Sequence, residues 1–246
     1  MLANPFRLMP LFAVLIAAAC AGGGGEGVND PYEPANRRVH AFNKAVDQNV
    51  VRPLTAPFRG GDSEGGPGVT AVLSNVGGNL SLPGKVVNGL LQGRPDHAAR
   101  NAGRFVVNTT LGLGGLHDPA GQEFGLHEVD TDFGETLHVW GVAEGPYMEL
   151  PLIGPSTARD AFGRVVDWMM DPMDQVLNDD QALGARVIRL GSKAGERARF
   201  GDTVDSILHQ SADSYAQTRL LYLQHRRYEL GQEAEVIDPY DDPYDE

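Results

Sequence analysis

Several features that would fix the class of a protein are scarce in this sequence. It has one cysteine among 246 residues, so no disulfide can form within the chain. Twenty lysines and arginines face 33 aspartates and glutamates, and the formal net charge of -13 would repel a nucleic-acid backbone. Beyond the first twenty residues, no apolar run reaches the roughly 18 residues that a membrane-spanning helix needs. We therefore expect no nucleic-acid partner and no conventional spanning helix.

Catalytic and cofactor motifs are also scarce. The sequence holds no H-E-x-x-H zinc motif. The stretch "GNLSLPGK" lacks the glycine spacing of a phosphate-binding loop, and "GLGGLH" ends in His117 where a dinucleotide fingerprint needs glycine. We predict no enzyme, no cofactor and no catalytic residue.

One stretch, "HEVDTDFGETLH" at 127–138, concentrates titratable residues. Such side chains could form a metal site, but the pattern favours a solvated loop that leads into a helix capped by Asp130 or Thr131. We therefore predict no metal site. The residues concerned are His127, Glu128, Asp130, Asp132, Glu135 and His138.

The N-terminus has the plan of a secretory signal peptide. Arg7 precedes an apolar run, three alanines follow, and then comes the single cysteine, Cys20. A cysteine directly after small residues resembles the lipobox of bacterial lipoproteins, which implies cleavage after residue 19 and acylation of Cys20. Since each buried CH₂ contributes about 0.8 kcal/mol, two or three acyl chains would anchor the protein firmly. The alternative is a plain signal peptide with an incidental thiol. In the sorting scheme of such lipoproteins, Ala21 permits export to the outer membrane.

The rest of the chain divides by composition. We expect a signal peptide at 1–19, a glycine-rich acylated tether at 20–29, one folded domain at 30–230 and an acidic tail at 231–246. The tether and the tail are predicted to be flexible because one is rich in glycine and the other carries acids without basic residues.

Helical apolar spacing recurs along the folded domain and strand alternation is nearly absent, so we predict an all-α fold. The first helix should follow "DPYEPANRR" and end at Pro53. Further helices are predicted at 69–76, 95–109, 133–140, 158–169 and 212–230.

Glycine, proline and large apolar residues alternate in two segments, around 108–121 and at 141–160. Glycine permits tight turns but packs nothing, so we interpret both segments as apolar linings rather than solvent loops. Pro146, Pro151 and Pro155 prevent a regular helix. We predict that 146–153 belongs to a lipid-contacting surface, with these large apolar residues: Tyr147, Met148, Leu150, Leu152 and Ile153.

Polar groups near these segments could solvate a lipid head group in an apolar medium. They are Asn108, Thr109 and Thr110, with Gly112 and Gly114 beside them. The alternative is a helix C-terminus with a glycine cap.

Trp140 and Tyr147 could be interfacial anchors, because each has an apolar body and a polar edge. The alternative is that both are plain core aromatics.

Four long blocks, in order, resemble the MlaA (VacJ) family of outer-membrane phospholipid-transport lipoproteins over about 30–230. They are "DPYEPANRRVHAFN", "GRFVVNTTLGLGGLHDPA", "DFGETLHVWGVAEGPYMELPLIGPSTARD" and "ADSYAQTRLLYLQHRRYEL". The resemblance implies a single ring-shaped helical domain, lying in the periplasmic leaflet of the outer membrane, with a central amphipathic channel.

It also implies a function. Proteins of this family remove phospholipids misplaced in the outer leaflet, associate with trimeric porins and pass the lipid to a soluble periplasmic carrier, which maintains lipid asymmetry. The channel or lipid contacts would then include the candidate residues at 108–114 and 140–153. Two other classes stay open: a passive envelope scaffold and a lipid-acting hydrolase.

Overall fold

The computed structural model describes residues 28–56 and 68–232. Cys20, the signal peptide, almost all of the tether and the acidic tail beyond 232 lie outside the described residues. Their regular secondary structure is helical apart from one two-stranded hairpin, which confirms the all-α class. The ring shape and the channel stay predictions.

The regular secondary structure in the first half of the described chain is entirely helical. Helix α1 (Glu33–Val46) runs through a π-helical turn (Asp47–Val51) into the short α2 (Arg52–Thr55), so Pro53 does not end the helical path but sits in the first turn of α2. Then follow α3 (Val69–Leu91), α4 (Pro95–Thr110), α5 (Pro119–Gln122) and α6 (Phe133–Val139).

The second half begins with the antiparallel strands β1 (Tyr147–Leu150) and β2 (Gly154–Thr157). They are followed by α7 (Ala158–Met169), α8 (Pro172–Val176), α9 (Asp179–Arg199) and α10 (Gly201–Asp205). A second π-helical turn (Ser206–Gln210) leads to the last helix, α11 (Ser214–Glu229). None of the described helices is both long enough and apolar enough to cross a membrane.

The predicted helices near 95, 133, 158 and 212 are confirmed as α4, α6, α7 and α11. Helix α3 runs far beyond the predicted 69–76, through Pro83 and four glycines. Asp132, rather than Asp130 or Thr131, caps α6, where its carboxylate accepts a hydrogen bond from the amide of Glu135 at 2.7 Å.

Helix α9 was not predicted, and its packing explains why. It buries only small residues and packs along α3. A side chain at Gly77 of α3 would bring a Cβ within 2.7 Å of the Cβ of Ser192, so the two backbones approach closely. The large residues of α9 point outward: Leu183, Val187 and Leu190. A search for a buried apolar stripe therefore misses this helix.

The hairpin corrects the prediction that 146–153 forms a lipid-contacting surface rather than a buried core. Tyr147 is 1% exposed and packs in the core with Tyr215 and Leu223. The prolines do prevent a helix, but strand alternation still turns Tyr147 and Glu149 inward. Tyr147 is a core aromatic, as the alternative had it, and not an interfacial anchor.

The tip of the hairpin behaves differently. Leu152 is 71% exposed and Ile153 is 55% exposed, whereas Leu150 is half-buried and accepts a hydrogen bond from Asn43 at its carbonyl. Within this segment, only the turn at Leu152 and Ile153 exposes large apolar side chains.

Across the described residues the usual distribution of polarity is inverted. Twenty polar or charged residues are buried against eleven hydrophobic ones, while 29 large hydrophobic residues are exposed. Large apolar patches are rare on soluble monomers and mark membrane or partner contacts. The exposed set includes both tryptophans, Met169 and Met170, and the outward leucines of α9.

Candidate functional site

A cleft of about 250 Å³ opens where α3, α7, α8 and α9 meet. Helix α3 supplies one wall, on which Ser81, Gly84, Lys85 and Asn88 share a face because they recur at helical spacing. The remaining walls are Thr131, Asp167, Trp168, Asp171 and Arg189.

The α3 wall has an unusual backbone. Pro83 lies inside the helix and has no N–H to donate to the carbonyl four residues earlier. Gly84 follows it and adds no side chain, with nothing within 4 Å of where its Cβ would stand. The sequence thus leaves room at the centre of this wall.

The two cations of the cleft are held by carboxylates. Lys85 pairs with Glu128 and, at 2.6 Å, with Asp130. Burial opposes the charge of Lys85, but these two carboxylates outweigh it and raise its pKa. Arg189 pairs with Asp171 and donates to the carbonyl of Leu80. Lys85 is therefore charged at neutral pH.

Asp167 lacks the arginine partner that the buried aspartates have. Its carboxylate accepts hydrogen bonds from Asn88 at 2.7 Å and from the amide of Phe133 at 2.9 Å, and no cationic side chain of the described residues forms an ion pair with it. Burial raises the pKa of Asp167, although these two hydrogen bonds oppose the shift. An acid of this kind at the wall of a cleft is a candidate ligand-binding residue.

The cleft changes from polar to apolar along its length. A smaller depression shares Gly84, Asn88 and Asp167 with it and continues onto apolar side chains. These are Val87, Leu91, Phe133 and Met170. Charged and amide groups thus lie at one end and hydrocarbon at the other.

None of the candidate residues from the sequence lines this cleft, but Trp140 borders its apolar end. Its ring packs edge-on against Phe133 at 5.6 Å between centroids, and its indole N–H donates to the carbonyl of Leu91 at 3.1 Å. At 53% exposure Trp140 has the buried body and open face of an interfacial residue, so the anchor role stays a prediction.

Asn108 cannot line a path, because it is buried and its amide is fully used. It donates to Asp118 at 2.8 Å and accepts from the amide of Ala120 at 3.0 Å. This corrects the prediction for Asn108: it holds the turn that follows α4.

The residues that follow Asn108 form the C-terminal end of α4 with glycines beyond it, as in the alternative of a glycine-capped helix end. Gly112 is buried where a Cβ would come 2.6 Å from the carbonyl of Asn108, and Gly114 has φ +76°. Thr109 and Thr110 are exposed, with Thr109 accepting from Asn79 at 3.1 Å. A lining role for these four residues stays a prediction.

The acids of 127–138 are distributed among separate ion pairs. Glu128 and Asp130 hold Lys85, Glu135 pairs with Arg94 at 2.6 Å, and Asp132 pairs with Arg226 at 2.7 Å. Each carboxylate already has a cationic partner, which disfavours a shared metal ion.

A different trio, Asp47, Asp205 and His209, has the spacing of metal ligands. Arg197 occupies its centre, donating to Asp47 at 2.8 Å and to Asp205 at 2.6 Å. The guanidinium supplies the positive charge that a metal ion would bring, so this trio is an ion-pair network.

One further arrangement has the order of a serine hydrolase triad. The ring of His40 lies 3.3 Å from Glu149 and 3.1 Å from the hydroxyl of Ser214. All three residues are buried, and the carboxylate of Asp213 accepts a hydrogen bond from the nearby amide of Ala216. The three residues join α1, β1 and α11, and neither of the clefts described above includes Ser214.

Sequence reasoning missed the residues that line the cleft. Lys85 was considered only within a failed phosphate-loop pattern, and Asp167 and Asp171 were overlooked. The signal was present in "VVDWMMDP", where two acids stand among large apolar residues.

Comparison with known proteins places the chain in a family. The model described as MlaA lipoprotein matches residues 28–229. The chain is 36% identical over 214 residues to the intermembrane phospholipid transport system lipoprotein MlaA of Escherichia coli (strain K12), covering 86% of this chain and 82% of that protein. With the protein of the same name from Haemophilus influenzae it shares 30% over 213 residues, covering 82% and 79%.

A solved structure is similar over nearly its whole length. It is described as the structural basis for maintenance of bacterial outer membrane lipid asymmetry, and it aligns with a TM-score of 0.66 at 32% identity. The alignment covers 82% of this chain and 98% of that one.

Proposed function

The chain belongs to the MlaA lipoprotein family, and from that premise we propose that it transports phospholipids at the outer membrane. Anchored in the periplasmic leaflet through an acylated Cys20, it removes phospholipids misplaced in the outer leaflet and passes them to a soluble periplasmic carrier. A trimeric porin holds it in place. The result is the maintenance of lipid asymmetry, the subject of the solved relative.

The observation that carries this proposal is the inverted distribution of polarity. Apolar side chains contact lipid without cost, whereas each Leu or Met that stays fully exposed to water loses the stabilisation of about 1.5–3 kcal/mol that burial would give. The interior, in turn, is made of amides, hydroxyls and ion pairs. A protein with a polar interior and an apolar exterior suits a membrane and offers a polar path through it.

Two strained leucines support the membrane contact. Leu113 and Leu152 are the only described residues other than glycine with positive φ, at 54° and 65°, and both are more than 60% exposed. The left-handed conformation costs a leucine roughly 1–2 kcal/mol, which glycine would avoid. Leucine at these turns is explained if its side chain inserts among lipid tails.

The cleft supplies what the transported lipid needs. A charged phosphate cannot cross hydrocarbon unsolvated, whereas Lys85, Asn88 and Arg189 offer donors at the polar end. The acyl chains stay with the apolar residues at the other end. A volume of about 250 Å³ accepts a head group, since whole drug-sized ligands need roughly 300–1,000 Å³.

The hydrolase alternative has two weak signals. The buried triad of Ser214 lies outside both clefts, and a G-x-S-x-G pattern at 61–65 lies outside the described residues and lacks a preceding apolar run in the sequence. We therefore propose that the chain is not an enzyme. A passive scaffold would not need the mixed cleft.

The test is transfer of intact lipid. The full-length lipoprotein, purified in detergent, is incubated with vesicles of phosphatidylethanolamine and phosphatidylglycerol, repurified, and assayed for bound phosphorus and by mass spectrometry. We expect intact phospholipid on the protein and no released fatty acid. Absence of bound lipid contradicts transport. Fatty acid release that Ser214→Ala or Ser63→Ala abolishes establishes the hydrolase instead.

A further inference from the structure

The cleft contains an uncompensated carboxylate. Elsewhere in the described interior, Asp47, Asp160 and Asp205 each contact an arginine, at 2.8, 3.2 and 2.6 Å. Asp167 has only the amide of Asn88 and a backbone N–H. A half-buried carboxylate without a cation is costly, and here the carboxylate faces the cleft.

The charges around it are arranged in pairs of opposite sign. Two cations, Lys85 and Arg189, and two acids, Asp167 and Asp171, line the same 250 Å³. Asp171 already pairs with Arg189. The guanidinium still has a donor for a ligand, because its two terminal nitrogens carry four N–H groups and make three contacts, two with Asp171 and one with the carbonyl of Leu80. A ligand that carries one anionic and one cationic group satisfies both Arg189 and Asp167.

We propose that the cleft selects phospholipids whose head group ends in a primary ammonium, with Asp167 accepting hydrogen bonds from that ammonium and Arg189 donating to the phosphate. This inference rests on the proposed function and names the class of lipid it acts on. The zwitterion of phosphatidylethanolamine matches both charges. A glycerol head group leaves Asp167 unpaired, and a choline head group has no N–H to donate.

Trp168 adds an apolar surface to the cleft. It stands next to Asp167 on α7, lines the cleft and is 65% exposed. Its face offers an apolar surface to the methylene groups between the ammonium and the phosphate. A single aromatic ring is not the cage that recognises a quaternary ammonium.

The experiment measures the composition of bound lipid. The full-length lipoprotein is incubated with vesicles of equimolar phosphatidylethanolamine and phosphatidylglycerol, repurified and analysed by mass spectrometry. We expect about tenfold enrichment of the ethanolamine lipid, the factor that one charge-assisted hydrogen bond supplies. Asp167→Asn should bring the ratio close to that of the vesicles. Asp174→Asn, which removes a carboxylate paired with Arg186 outside the cleft, should keep the enrichment.

A second measurement does not depend on any variant folding. The wild-type protein is given vesicles in which phosphatidylcholine replaces the ethanolamine lipid, and the enrichment should disappear. Equal binding of ethanolamine and glycerol lipids, or equal enrichment of the choline lipid, overturns the selectivity while leaving transport intact. Wild-type protein that carries no phosphorus at all refutes the proposed function itself, which is a distinct result.

Discussion

Replacement of Gly163 by alanine should destabilise the protein, although alanine is the better helix former. Gly163 lies in α7 against Gly134 of α6, and an added Cβ would stand 2.7 Å from the Cα of Gly134 and closer still to its amide nitrogen. These are backbone atoms, so α6 must move as a whole. Overpacking of this kind costs about 1–3 kcal/mol, and we take the upper end because no side chain can rotate away.

The gain in helix propensity from glycine to alanine offsets about 1 kcal/mol of that cost. The net loss of about 2 kcal/mol corresponds to a melting temperature lower by roughly 4–8 °C for a domain of this size. Thermal unfolding in detergent, followed by circular dichroism, measures it. The matched control is Gly184→Ala in α9, where nothing lies within 4 Å of the new Cβ.

The control should raise the melting temperature by a few degrees, since it gains propensity without a clash. If Gly163→Ala is as stable as Gly184→Ala, the close contact of α6 and α7 is wrong, and so is the position of Asp132 and Asp167 that depends on it.

Three other predictions concern the N-terminal cysteine, the hairpin and a buried ion pair. Cys20→Ser should abolish incorporation of labelled fatty acid because serine lacks the thiol that is acylated; a mutant that still takes up label and fractionates with the outer membrane contradicts the lipoprotein assignment. Leu152→Asp should weaken vesicle binding with little change in melting temperature, whereas Tyr147→Asp should unfold the core; equal effects of both would contradict the division of the hairpin. Burial opposes the ionisation of Asp160, but Arg226 and Arg159 outweigh burial and hold the pKa of Asp160 below the unfolded value of about 3.9. The ionised carboxylate therefore stabilises the fold above about pH 4, and this stabilisation is lost as the pH falls through the folded pKa. Stability measured from pH 7 to pH 3 should therefore fall less steeply in Asp160→Asn than in wild type, and parallel curves would contradict the ion pair.

Helices α4 and α7 could be predicted from sequence because their periodicity and their end signals agree, although the residues they bury are mostly polar or small. Helix α4 begins at Pro95 and α7 begins after the cap of Thr157, which accepts from the amide of Asp160 at 3.3 Å. Helix α9 could not be predicted in the same way, because its small residues face the protein and its leucines face outward.

The candidate site was harder to predict than the fold. The apolar residues around 147 were conspicuous, but the hairpin that buries Tyr147 depends on pairing with residues ten positions away, such as Thr157. The cleft brings together Lys85, Asp167 and Arg189 from three helices. No spacing along one helix reveals such a set, since only tertiary packing assembles it.

The outward leucines have a consequence for the route of the protein through the cell. In the proposed function these side chains contact lipid tails, so the protein would have no stable state in the aqueous space between two membranes. It would need to be covered first by the membrane it leaves and then by a partner that shields both the acyl chains and the apolar surface. Without that partner the protein should aggregate or enter the nearest bilayer, so the residues that suit it to a membrane would also limit where it can accumulate.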